Sequence, residues 1–219
     1  MTWLQTSSGR AFDLVSPSSD DVNFETDIAE ALARIPRFTG HVRSGPYSVA
    51  QHCVIGAHAI YRETQRRDIA AAFLLHDAHE AYIGDIATPA AEALAAYGGL
   101  IALNNSGTEA AGKGGMRLVE SALKLLKRRL DAAIHEAAGI IYPLPDDVRE
   151  AVKLYDLRML ATERRQLLSG APKPWHASIE SAEPIRLEGR LKVWPWSEAA
   201  DAYRIALDRY APSALRRAA

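Results

Sequence analysis

Cysteine is almost missing: Cys53 is the single one in 219 residues. It has no internal partner, which excludes a disulfide-stapled scaffold and fits a reducing compartment, so a cytoplasmic protein is expected. No run of about 18 apolar residues occurs, so no membrane-spanning segment is expected. The start, MTWLQTSSGRAFD, lacks a basic stretch followed by an apolar one, so no secretory signal is expected either. Charge of one sign is scarce as well. Lys and Arg number 26 against 27 Asp and Glu, for a net charge of −1 and no long run of either sign. That removes bulk-charge support for a nucleic-acid partner. β-Branched runs are few, and no segment repeats.

What the chain has in quantity is alanine and leucine at helical spacing. With 48% hydrophobic and 24% charged residues, it has the makings of one ordinary core. We read an all-α bundle of five to seven helices over a single domain, residues 1–219, with minor short strands near the termini. Helices are expected over about Glu25–Arg34, Ser48–Thr64, Asp68–Gly84, Pro89–Tyr97, Leu118–Ala138, Asp146–Leu168 and Ser197–Tyr210. In the second, Ser48 caps and Gln51 reaches back to complete a capping box. Asp68 is the expected cap of the third and Gly84 its stop. Short strands are expected at Gly9–Val15 and Ile185–Val193. The glycine-rich NNSGTEAAGKGG, Asn104–Gly115, reads as a mobile surface loop, and 171–219 as a C-terminal extension.

The unusual feature is LLHDAHEAYIGD, Leu74–Asp85, where two histidines and three acids interrupt an apolar helical stretch. Read as one helix, His76, Asp77 and Glu80 can share a side. Buried carboxylates are costly unless paired, hydrogen-bonded or metal-bound. The plain alternative is a solvated helix edge. His79-Glu80 does not open a zinc-protease helix, because position 83 is isoleucine. His52 falls on the same helical face as Val49, Ile55 and Ala59. Its plain alternative is a hydrogen-bonded core histidine. His58 lies off that face and reads as surface, as does His135. Asp156 falls within the apolar stripe Val148, Val152, Tyr155, Met159. There, Arg158 or Arg164 could neutralise it, or a metal could. Two imidazoles and two carboxylates drawn from three helices suit one divalent ion: zinc, manganese, cobalt, nickel or iron.

A histidine, an H-D pair some two dozen residues later and a distant helical aspartate resemble the HD-domain metal-dependent phosphohydrolase superfamily. The segments YSVAQH (Tyr47–His52), LLHDAHEAYIGDIATP (Leu74–Pro89), YDLRMLATERR (Tyr155–Arg165) and PRFTGH (Pro36–His41) resemble its bacterial and phage 5′-deoxynucleotidase-like branch. The resemblance spans roughly residues 1–103 and 117–210. It implies metal ligands His52, His76, Asp77 and Asp156, with Glu80 as catalytic acid/base beside Asp77. It implies Arg37 and Phe38 on phosphate and base or sugar, and Asp85 to Thr88 lining the pocket. His41 is a further donor or a loop residue. Phe38 stands where the well-known nucleotidases carry tryptophan, so base selectivity does not transfer.

The implied activity is hydrolysis of a nucleoside or deoxynucleoside 5′-monophosphate, or a similar small phosphate ester. A homodimer is an expectation from the same resemblance. Attack on a nucleoside triphosphate or diphosphate linkage is an alternative, with Arg43, Arg62 and Arg66 as candidate phosphate binders. A metal-bearing nucleotide sensor without catalysis is another.

Overall fold

The structure, a computed structural model, describes residues 2–170 and 172–216. It is a helical bundle with one small antiparallel hairpin. Strand β1 (Trp3–Gln5) pairs with β2 (Ala11–Asp13) in the register Leu4 opposite Phe12. The hairpin's purpose is visible in Phe12, which is fully buried and stacks on Tyr82 with ring centroids 3.7 Å apart.

Among the described residues, six helices have nine residues or more: α2 (Val49–Thr64), α3 (Arg67–Leu75), α5 (Thr88–Ser106), α6 (Glu109–Ala138), α7 (Asp146–Leu167) and α9 (Trp196–Tyr210). Shorter turns complete the set: α1 (Ala29–Arg34), α4 (Glu80–Ile83), α8 (Ala177–Glu180) and α10 (Ser213–Arg216). None is long and apolar enough to cross a membrane alone.

Helices α2 and α3 form the centre, and α1, α7 and α9 pack around them. Their approach is close because Gly56 has no side chain. A Cβ there would sit 2.1 Å from Cε1 of Phe73. Helix α9 buries Ala199, Tyr203, Ala206 and Leu207 in the same core as α2 and α3. Within 171–219, α9 is therefore core material, whereas 172–184 holds no buried residue; residues 171 and 217–219 lie outside the described residues.

Several sequence expectations are corrected. Asn104–Gly115 is not a loop. Helix α5 runs to Ser106 and α6 starts at Glu109, turning only at Gly107 (φ +71°) and Thr108. The glycines let the two helices touch: a Cβ on Gly115 would lie 2.5 Å from the Gly98 carbonyl oxygen. Ile185–Val193 is not a strand. Side chains of α2 and α7 satisfy its backbone instead, with Ile185 N donating to Thr162 Oγ1 (2.9 Å), Leu191 N to Gln166 Oε1 (2.8 Å) and Gln51 Nε2 to the Lys192 carbonyl (2.6 Å). That task also takes Gln51 out of the expected capping box, although Ser48 does cap, accepting from Gln51 N at 3.2 Å. The third helix does not run unbroken to Gly84. It stops at Leu75, its N-cap is Arg66, and Asp68 pairs with that arginine instead of capping.

Candidate metal centre

The break after Leu75 creates the site. Ala78 N bonds to the Leu75 carbonyl, Glu80 N to Asp77 and Tyr82 N to His79, all at 3.0–3.1 Å and all spanning three residues. This tighter winding changes the angle between successive side chains. His76 and Asp77 both face the α2–α7 crossing.

Four side chains meet there. His76 Nε2 lies 3.2 Å from Asp77 Oδ2 and 3.7 Å from Asp156 Oδ1. His52 Nε2 lies 3.9 Å from Asp77 Oδ2 and 3.4 Å from Asp156 Oδ1. Ligands bound at about 2.1 Å around one tetrahedral or octahedral ion stand about 3.0–3.5 Å apart, so these spacings are close to the edges of a coordination shell. His52, His76 and Asp77 form a group able to hold a metal ion.

The chemistry of the donor set supports the distances. His52 Nδ1 is 2.6 Å from Glu163 Oε1, and His76 Nδ1 is 2.6 Å from the Phe73 carbonyl oxygen. Each partner is an acceptor, so each Nδ1 carries the proton and each Nε2 of a neutral ring has a bare lone pair. Both Nε2 atoms are buried and have no hydrogen-bond partner. Two ring nitrogens therefore face two carboxylates across a gap, an arrangement that positive charge, as a proton or a cation, stabilises. Holding the far ring nitrogen on a carboxylate or carbonyl is how proteins orient ligating histidines. The site is sealed beneath, where His52 and Glu163 are fully buried, and opens at Asp156, whose side chain is 41% exposed.

The ionisable groups respond to the same shortage of cations. Burial alone lowers the His76 pKa, but Asp77 and Asp156 outweigh it and hold it well above the ordinary value. Burial raises Asp156, and the two imidazoles override that and hold it well below. Glu80 is 4% exposed with Oε2 unpartnered. Burial and the charges of Asp77 and Asp85 push its pKa up to about 9. Asp85, half-buried beyond the turn at Gly84, is raised by burial and by Asp77.

Arg37 enters from a strained turn. Pro36 bridges to Ser48, with Arg37 N bonded to the Tyr47 carbonyl at 2.8 Å and Val49 N to the Ile35 carbonyl at 3.0 Å. The chain then passes through Phe38 (φ 56°) and Thr39 (φ 52°), left-handed conformations that cost roughly 1–2 kcal/mol each. The result places the guanidinium 3.3 Å from Asp77 Oδ2 and 3.3 Å from Glu163 Oε2. Phe38 packs nearby, against the Val42–Tyr47–Leu167 cluster.

The structure thus brings His52, His76, Asp77, Asp156 and Arg37 together, with Glu80 and Asp85 beside them. It leaves His41 and Thr88 exposed, with no side-chain hydrogen bond or ion pair to this cluster. The arginines weighed as partners for Asp156 are engaged elsewhere: Arg158 on Glu63 (2.7 Å) and Arg164 on Glu180 (2.7 Å).

Sequence reasoning missed Glu163. It lies seven residues, two helical turns, after Asp156 and hence on the same face, a spacing that could have found it. It also misplaced His135, which is 2% exposed, its Nδ1 2.8 Å from the Asp131 carbonyl oxygen. His58 is half-buried on Tyr210 rather than on the surface.

No protein-family model matches the chain. It is similar to the uncharacterized protein YfdR of Escherichia coli strain K12, 35% identical over 167 residues that cover 76% of this chain and 73% of that one. It is also similar to the uncharacterized protein RCAP_rcc00048 of Rhodobacter capsulatus, 30% identical over 193 residues covering 86% and 80%.

Proposed function

The chain belongs to the family of YfdR and RCAP_rcc00048, and for it we propose metal-dependent hydrolysis of a small phosphate monoester, a nucleoside or deoxynucleoside 5′-monophosphate. The observation that carries this reading is the pair of buried, partnerless Nε2 atoms of His52 and His76 facing Asp77 and Asp156. These four residues would hold one divalent ion, of the class zinc, manganese, cobalt, nickel or iron. When bound, such an ion lowers the pKa of water and offsets the charge of a phosphoryl group.

The chain's own residues supply the rest. Arg37 binds phosphate oxygens through parallel N–H donors, exchanging one of its carboxylate contacts for the substrate. Glu80, protonated near neutrality in the metal-free chain, would give a proton to the leaving ester oxygen as water's oxygen bonds to phosphorus and the phosphorus–ester bond breaks, and the proton shed by that water would restore it. The products are inorganic phosphate and the alcohol. Asp85 and Phe38 would line the side on which a sugar and base extend. A monoester is favoured over a triphosphate because two of the three arginines weighed for a longer phosphate are committed elsewhere and the third is exposed. Arg66 pairs with Asp68 and Asp147, Arg62 donates to the Arg186 carbonyl, and Arg43 is exposed.

The test is a phosphate-release screen of chelated and metal-reconstituted protein against nucleoside mono-, di- and triphosphates. Release from monophosphates only, dependent on added ion, is expected. No release from any ester with any of the five metals would overturn the reading.

A further inference from the structure

A second cluster of buried ligands adjoins the first. One ligand atom each from Asp77, His79 and Glu80 lies within 4.8 Å of the others. His79 and Glu80 are 5% and 4% exposed. His79 Nδ1 is 2.9 Å from Asp131 Oδ1, so Asp131 fixes the tautomer and leaves Nε2 as the free donor atom, buried without a partner. Glu80 Oε2 is likewise buried without a partner. Asp77 directs Oδ2 toward His52, His76 and Arg37, and its second oxygen is the one left for a second ion.

The construction resembles that around His52: a histidine ring held from behind by a carboxylate, here the partly exposed Asp131, and facing the acids Asp77 and Glu80. Its spacing is wider, so an ion must draw its ligands inward, and affinity falls accordingly. Three protein ligands against four weaken it further.

We infer that Asp77, His79 and Glu80 form a second, weaker divalent-cation site whose occupation inhibits the enzyme. The inference rests on the first site being the catalytic one. An ion bound to Glu80 takes the oxygen lone pair that would carry the transferable proton, so the second ion removes the proton donor while leaving the first ion in place.

Titration of the chelated full-length chain with manganese(II), following free ion by electron paramagnetic resonance, tests it. The wild type should bind two equivalents, the second at least about tenfold more weakly, with phosphate release rising over the first and falling over the second. His79→Ala should bind one equivalent and lose only the fall. Asp131→Asn, which keeps the side chain's shape, should weaken the second site about 10–100-fold and guards against misfolding of the alanine variant. One equivalent in the wild type, or two in His79→Ala with an unchanged second affinity, overturns the second site alone. Zero equivalents in the wild type overturns the first reading and this one with it.

Discussion

Glu163 Oε1 stands 2.6 Å from His52 Nδ1, and both side chains are wholly buried. Oε2 of the same carboxylate receives Arg37 at 3.3 Å. One acid thus orients the imidazole proposed to bind metal and the arginine proposed to bind phosphate together. Glu163→Gln keeps the shape but removes the charge. Affinity for the ion should fall about 10–100-fold, with Arg37 less firmly held and KM raised. Isothermal titration with zinc measures the first effect; an unchanged affinity would deny Glu163 this role.

Arg37→Lys should raise KM at least about tenfold, because a point-like ammonium cannot copy two parallel donors. The kcat of the bound complex should change much less. Steady-state kinetics on a monophosphate separates the two, and a loss confined to kcat would contradict the assignment.

Glu80→Gln should keep the ion held by His52, His76, Asp77 and Asp156 but lose about 10²–10⁴ in kcat, the usual worth of a positioned proton donor. Ion content and kcat are measured on the same preparation. Loss of the first equivalent would mean that Glu80 is a ligand of that site.

Gly56→Ala probes the α2–α3 contact. The added Cβ would be 2.1 Å from the Phe73 ring, and Phe73 is fully buried. Overpacking of this kind costs about 1–3 kcal/mol, so Tm should drop by about 2–10 °C. Phe73 also packs against His76, with ring centroids 4.4 Å apart, so ion affinity should weaken in parallel. Calorimetry showing no change in Tm would place the helices farther apart than described.

Acid sensitivity should be traceable to Glu63. Burial alone raises its pKa, but hydrogen bonds from Arg158 and Tyr155 outweigh burial and hold it below the ordinary 4.5. A carboxylate depressed in the fold stabilises above its unfolded pKa, and that stability is lost as pH falls through the folded value. Wild type should therefore exceed Glu63→Gln by about 0.5–1 kcal/mol near neutrality, as befits a partly exposed pair. The gap should close as pH drops below about 4.5. Urea unfolding at several pH values reads it; a gap that widens in acid would reverse the sign argued here.

The all-α class was legible because alanine and leucine recur at helical spacing, and the Ser48 cap because a capping serine acts locally. His52, His76, Asp77 and Asp156 could be picked out because ionisable groups on apolar stripes stand out against their neighbours. The break after Leu75 was not legible. Which residues wind more tightly is decided by what His76 and Asp77 must face across the bundle, information absent from the local sequence. Glycines at 112 and 115 suit a loop and a close helix crossing equally well, and only their partner glycines at 99 and 98 distinguish the two. The extended 185–193 segment looked like a strand because its hydrogen-bond partners, Gln51, Thr162 and Gln166, are distant side chains. His135 sits on a helix rich in lysine and arginine, whose composition concealed its buried face.

The most direct test is elemental analysis of the purified chain beside Asp156→Ala, after dialysis against one divalent ion. Asp156 lies 79 positions from Asp77 in sequence and reaches the site only through the packing of α7 on α2 and α3. The wild type should retain at least one equivalent, and Asp156→Ala should lose the tightest one while keeping its helical circular dichroism. Equal ion content in both proteins, or none in the wild type, would contradict the account.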